Sequence, residues 1–306
     1  MSLRRTAGSR LALLCALACG PWAAAHAGAM RFCDQPVALS AEQKDTLFRF
    51  GGVIKNELDA SGSRLALIAR SGLNLERFGV RYSHAGVSLK ASQNTPWSIR
   101  QLYYACDEQR PKVYDQGISG FLLGLDDPAS GYVSVVLLPP AEAAALESAA
   151  LDDRRALAQL SETYSANAYP FSLRYQNCNQ WVAEMLAAAW GGLVDGGDAR
   201  AQAQRWLLES GYQPSTIEVG PNPLLWIGAA FIPWLHSDDH PSSDLERKVF
   251  RVSMPAAIEG FVQATVPGAQ RIEFCHNGKQ VVVHHGWDAV AEGCVPGEGD
   301  KVVMLD

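Results

Sequence analysis

The chain has seven cysteines but no Cys-x-x-Cys pair, which argues against a dithiol redox protein. Basic residues are the minority, 26 against 32 acidic, for a formal net charge of −6. Nucleic acid and anionic lipid headgroups are therefore not expected as main partners. No apolar stretch is long enough to cross a bilayer. The continuous run at residues 223–235 is too short for a span and reads as a buried helix, or as an interfacial lid suited to a lipid-like substrate. Internal repeats and low-complexity linkers are also missing. With 306 residues, 48% of them hydrophobic, the chain can build one large core or two smaller domains.

The N-terminus carries an export pattern. Arg4, Arg5 and Arg10 precede the apolar residues 11–18, and small residues end at Ala25-His26-Ala27, an A-x-A cleavage site. The expectation is a cleaved signal over residues 1–27 and a periplasmic or secreted product, in an oxidising compartment. Five cysteines then remain: Cys33, Cys106, Cys178, Cys275 and Cys294. An odd count leaves one thiol free or paired between chains. Cys275 and Cys294 bracket an apparent hairpin unit and are expected to pair. Cys33 could reach Cys106, which would leave Cys178 free; other connectivities stay open.

The motif Asn177-Cys178-Asn179-Gln180-Trp181 has the form of a helix start. Asn177 suits an N-cap and Gln180 can reach back to it, while Val182, Met185, Leu186 and Ala189 follow on one face. A thiol in that first turn meets the positive end of the helix dipole and unpaired N–H groups, which favour thiolate and could also hold an oxyanion. Upstream, Tyr82-Ser83-His84-Ala85-Gly86 lies in a strand pattern in which His84 shares a face with Gly86. A glycine there would leave room for a thiol or substrate to approach the ring. On the next strand, residues 97–103, Gln101 is the candidate to orient the imidazole by accepting its Nδ1 proton; Asp115 and Gln116 are reserves.

This His-then-Cys order resembles the permuted branch of the papain-like NlpC superfamily, which includes lecithin:retinol acyltransferase and bacterial peptidoglycan or amide hydrolases. In that branch a Ser-His-x-Gly strand precedes an Asn-Cys helix, and residues 64–70 look like the strand before the His strand. The resemblance covers about residues 62 to 192. More narrowly, the chain resembles a bacterial family of uncharacterised secreted proteins in which the two motifs recur. It implies an α+β fold with a circularly permuted papain-like core, its antiparallel sheet packed on the Cys helix, and a C-terminal β-rich extension. It also implies catalytic roles for Cys178 and His84, with a polar third residue for which Gln101 is the choice.

The remaining pattern organises the chain. Residues 40–59 read as a capped helix with Leu47, Phe48, Val53, Ile54 and Leu58 inward, residues 112–115 and 132–138 as strands, and 141–162 and 199–212 as helices. Asp152-Asp153-Arg154-Arg155 reads as a solvated helix turn. His236-Ser237-Asp238-Asp239-His240 could ligate zinc, yet reads more simply as a polar turn. His284 and His285 lie on a strand and read as structural. The boundaries are a signal peptide at 1–27, a catalytic core at 28–215, an apolar segment with a polar loop at 216–247, and a small β unit at 248–306. The expected function is a secreted cysteine hydrolase or acyltransferase acting on amide or ester bonds, with a peptidoglycan peptide as first substrate and a lipid-like acyl group second. No cofactor or metal is needed for that chemistry. The alternative is a non-catalytic papain-fold binding or envelope-assembly protein.

Overall fold

Ser40 accepts a hydrogen bond from Gln43 N at 3.1 Å, and the Gln43 side chain accepts one from Ser40 N at 2.9 Å. This complete capping box starts helix α1, Ala41–Ala60. Leu47, Phe50, Ile54 and Leu58 recur at helical spacing and are buried. Phe48, expected inward, is 51% exposed, because the 3.6-residue period brings Phe50 and not Phe48 onto the stripe that Leu47 begins.

The computed structural model describes residues 38–72, 75–125, 127–194, 198–220, 232 and 234–305, all within one unit, Arg31–Asp306. The export signal, Cys33 and most of the 223–235 run lie outside the described residues. After α1 come β1 (Leu65–Arg70), β2 (His84–Leu89), β3 (Ser98–Ala105), β4 (Arg110–Gln116), α2 (Ile118–Leu122) and β5 (Gly131–Leu137). Next are α3 (Pro140–Leu151), α4 (Asp153–Ala158), α5 (Cys178–Trp190), α6 (Ala199–Glu209) and β6 (Ser215–Glu218). The chain closes with α7 (Ser242–Glu246), β7 (Val249–Val252), α8 (Pro255–Thr265), β8 (Gln270–His276), β9 (Gln280–His285) and β10 (Lys301–Met304).

Helices and an antiparallel sheet together make an α+β fold. Eight strands form the sheet in the order β10-β9-β8-β5-β1-β2-β3-β4, while β6 and β7 pair separately. Its two faces bury different halves of each alternating strand. Leu65, Leu67, Ala85, Val87 and Leu89 pack on α3, α5 and α8 through Leu146, Trp181, Val182 and Val262. Ala66, Ile68, Ile99, Val133 and Val135 pack on α1 and α2 through Phe50, Ile54 and Phe121. Covered on both faces, β1 is apolar throughout until Arg70, which explains why it reads as a run and not as an alternation.

The C-terminal segment, read as a unit of its own, continues this sheet: β8 pairs with β5 from Gly131↔His276 to Leu137↔Gln270. The Cys275–Cys294 disulfide spans a Cα–Cα distance of 5.6 Å, with both cysteines buried. Cys106 is also disulfide-bonded, and Cys178 is the free cysteine among the described residues.

The expected helix over 141–162 is two helices. At Asp152 the backbone is extended (φ −80°, ψ 102°), and its carboxylate accepts from Arg154 N at 2.9 Å and Arg155 N at 3.3 Å. An aspartate that can cap the next helix competes with continuation of the previous one, so the charged tetrad marks a break and not a turn within one helix.

Candidate active site

Asn177 is the N-cap of α5, and its side chain accepts from Gln180 N at 2.7 Å. The box is only half made. The Gln180 amide turns instead to Pro170 O at 3.3 Å and to Glu184 at 3.1 Å. Asn177 Nδ2 donates to Ala166 O at 3.2 Å and Ser253 O at 3.3 Å, and Asn179 Nδ2 donates to Ser83 O at 3.1 Å. The two asparagines beside Cys178 are thus ties, one of them to the residue just before His84.

A buried carboxylate holds this turn from behind. Glu184, fully enclosed, accepts from Arg200 Nε at 2.9 Å and Nη2 at 3.1 Å, Gln176 Nε2 at 2.5 Å, and Gln204 Nε2 at 2.9 Å, besides Gln180. Arg200 also reaches Leu173 O and Tyr175 O. The loop leading into Cys178 is thereby fastened to α5 and α6.

His84 opens β2 opposite Arg70 of β1. Its ring lies against Tyr103, with centroids 4.6 Å apart, and is tilted on Phe121 at 5.9 Å. His84 Nε2 is 2.7 Å from Gln101 Oε1, and Gln101 Nε2 donates to Gln116 Oε1 at 2.8 Å. An amide oxygen only accepts, so Nε2 carries the proton and Nδ1 is the basic nitrogen. The bond runs to Nε2, where the expectation had Gln101 accept the Nδ1 proton, because the packing of Tyr103 and Phe121 sets the ring rotation. Gln116, held in reserve, buttresses Gln101. Asp115 instead pairs with Arg100 at 2.6 Å.

Gly86 has a different purpose from the one expected. A Cβ built there would lie 2.4 Å from Ile99 Cγ2 and 3.2 Å from Gln101 Cβ. The missing side chain lets β3 close on β2 and brings Gln101 to the imidazole; it does not hold space for a thiol. Gly86→Ala should lower stability by roughly 1–3 kcal/mol through overpacking and loosen the His84–Gln101 bond. An unchanged urea midpoint would contradict this account.

Burial dominates the electrostatics. It pushes the Cys178 thiol up to about 11, against the opposing pull of the Asn179 N–H, Arg70, its own N–H and the Tyr164 hydroxyl. The helix start acts in the expected direction but is outweighed, so the resting thiol is protonated. Burial, then Arg70, lowers His84 to about 3, with the Gln101 bond opposing. Thiol and imidazole each rest neutral. Tyr164, itself held well above its usual range by burial, gives the thiol its side-chain hydrogen-bond partner. Neither Tyr164 nor Arg70 was singled out from the sequence. A parallel bridge to Gln176 folds Tyr164 back toward Cys178, and Arg70 Nη2 donates to Tyr103 Oη at 2.6 Å.

His276 is a second buried imidazole, fully enclosed beside Phe50 and lowered to about 4 by burial. Both histidines bind a proton near pH 6.5 when unfolded and much lower when folded, so stability is full above about 6.5 and falls as pH drops toward 4. Between pH 8 and 5 each should cost about 2 kcal/mol. Glu259 and Asp239, raised by burial, pull the other way. The check is therefore the difference between wild type and His276→Phe: urea unfolding of the variant should lose about 2 kcal/mol of the acid sensitivity. Equal slopes would rule this contribution out.

Residues 57–262 match a family described as an uncharacterized protein conserved in bacteria (DUF2145). The chain belongs to that family. No curated protein and no solved structure gives a significant match. The family segment contains His84, Gln101, Tyr164 and Cys178, and it ends inside α8, before β8, β9 and β10.

The polar turn at 236–240 fastens a loop. His236 stacks on Tyr175 with centroids 4.3 Å apart, Asp239 Oδ2 accepts from Tyr169 N at 2.8 Å, and His240 Nε2 meets Asn167 O at 2.7 Å. His284 Nδ1 lies 2.7 Å from Asp300. Among the described residues no group of three His, Cys, Asp or Glu side chains could hold a metal ion, and no helix is long and apolar enough to cross a membrane.

Proposed function

We propose that this protein is a thiol-dependent hydrolase or acyltransferase with a permuted papain-like core, attacking amide or ester carbonyls through Cys178. The observation that carries the reading is the relay His84–Gln101–Gln116, which fixes the imidazole with Nδ1 as its basic nitrogen while Asn179 ties the Cys helix to the His strand. The alternating sheet packed on α5 supports the fold assignment. Disulfides at Cys275–Cys294 and Cys106 support an oxidising compartment and the export read from residues 1–27.

In this mechanism Nδ1 of His84 takes the Sγ proton as sulfur bonds to the carbonyl carbon, and the carbonyl electron pair moves onto oxygen. The backbone N–H groups of Cys178 and Asn179, which already favour the thiolate, meet that oxyanion. The imidazolium returns its proton to the departing amine or alcohol, leaving a thioester. Water or an acceptor, deprotonated by His84, then releases the acyl group and restores the thiol. Because both partners rest neutral, proton transfer accompanies attack and does not precede it. A cell-wall peptide is the first substrate and a lipid-like acyl group the second.

The test is acylation by p-nitrophenyl acetate, read by peptide mass spectrometry. One acetyl group on Cys178, formed slowly in His84→Ala, is the expected result. No adduct at Cys178 would leave a binding protein that kept the fold, and equal rates in both proteins would remove His84 as the base.

A further inference from the structure

Arg70 is a buried cation whose partners carry no charge. It is 3% exposed, and its guanidinium donates to Ser71 O at 3.3 Å, to Gly124 O and to Tyr103 Oη at 2.6 Å, with the Phe121 ring centroid 5.2 Å away. Among the described residues no carboxylate pairs with it, and its enclosed Nε has no partner. The other two buried arginines are each compensated: Arg200 by Glu184 at 2.9 Å, and Arg271 by Glu259 at 3.0 Å and Glu273 at 3.1 Å. A buried charge without a counter-charge is costly, so this exception calls for a reason.

The backbone is shaped around the group. A Cβ on Gly72 or on Gly124 would collide with the guanidinium, and the one on Gly72 would also come within 3.1 Å of Ser83 Oγ. Two segments can therefore close on Arg70 because both residues are glycine, and the Ser83 hydroxyl is brought alongside. That hydroxyl is itself enclosed and unpartnered.

Both side chains border the reacting groups. Arg70 faces His84 across β1 and β2, Ser83 precedes His84 in the chain, and Asn179, next to Cys178, donates to the Ser83 carbonyl at 3.1 Å. The charge of Arg70 reaches both, lowering His84 after burial does and lowering Cys178 against burial. His84 is 7% exposed and Cys178 8%, so water would screen an ion pair beside them only weakly. A guanidinium with a hydroxyl next to it supplies donors that suit a carboxylate.

We propose that Arg70, with Ser83, holds a carboxylate of the substrate, so that Cys178 attacks a bond close to a free carboxylate, as at the C-terminal end of a peptide. The word substrate rests on the thiol reading above; the binding of the carboxylate does not. The anion supplies the counter-charge that Arg70 lacks, and it offsets the opposition of that guanidinium to an imidazolium at His84.

The full chain carrying Cys178→Ala, which binds without turnover, is titrated calorimetrically with N-acetyl-alanyl-alanine and with its C-terminal amide, which differ only in the charge of the last group. The acid should bind at least about tenfold more tightly than the amide. Arg70→Gln should bring the two affinities within about twofold, and Ser83→Ala should reduce the preference about threefold. Where Arg70→Gln loses the circular dichroism of the folded chain, Arg70→Lys takes its place, since loss of the planar fork should also cut the preference about threefold. Equal or weaker binding of the acid, no binding of either peptide, or a preference that survives these substitutions would overturn the proposal. Because the thiol is absent from this assay, failure of acylation at Cys178 and failure to select a carboxylate are read separately.

Discussion

Replacing His84 by alanine is expected to slow acylation of Cys178 by about 10²–10⁴-fold at pH 7, the usual worth of a positioned general base. The cause is specific to this site. With the thiol pushed up to about 11, only a trace of thiolate exists at neutral pH, and the helix start alone does not supply more. Without the imidazole the reaction must draw on that trace, and its rate should rise tenfold per pH unit. Gln101→Leu should be milder, because the ring stays between Tyr103 and Phe121 but loses the bond that fixes its tautomer. Stopped-flow acylation of the three proteins, each checked for unchanged circular dichroism, measures this. A His84→Ala rate within threefold of wild type would remove the base from the account.

The largest effect on stability should come from Glu184→Ala. Its carboxylate gathers donors from Arg200, Gln176, Gln180 and Gln204 in a space closed to water. Removing it leaves the Arg200 guanidinium, itself almost fully buried, without its counter-charge, which costs about 3–5 kcal/mol. That is a large share of the roughly 5–15 kcal/mol available to a folded domain. The loop before Cys178 hangs on the same group, so the variant should also lose acylation before it unfolds globally. Urea unfolding with the acylation assay run alongside tests both parts. A loss below about 1 kcal/mol would mean that the cluster contributes little net stability.

Much of this arrangement was readable in the sequence where local rules govern it. The capping box at Ser40, the N-cap at Asn177 and the alternation that puts Gln101 on one face of β3 depend only on neighbours within a turn or a strand. What escaped was decided by distant packing. The Nε2 choice follows from ring contacts with Tyr103 and Phe121, residues 19 and 37 positions away in the sequence. The direction of the thiol shift follows from burial, which outweighs the helix-start N–H groups, Arg70 and the Tyr164 hydroxyl together. Gly86 was visible as a glycine beside a histidine, but not that Ile99 would occupy the space it leaves. The strand pattern of β8 and β9 was plain, whereas their partner was not: periodicity marks a strand without naming β5 as its neighbour.

The most direct test of the Cys178–His84 assignment is the pH dependence of Cys178 acylation in wild type and His84→Ala from pH 4 to 10. A general base lowered to about 3 and a thiol raised to about 11 give a wild-type rate that is nearly flat across this range, since the imidazole stays unprotonated and the thiol stays protonated. The variant should climb steadily with pH and approach wild type only at the alkaline end. A wild-type rate that climbs in parallel with the variant would show that Cys178 reacts only as free thiolate, and that His84 takes no proton from it.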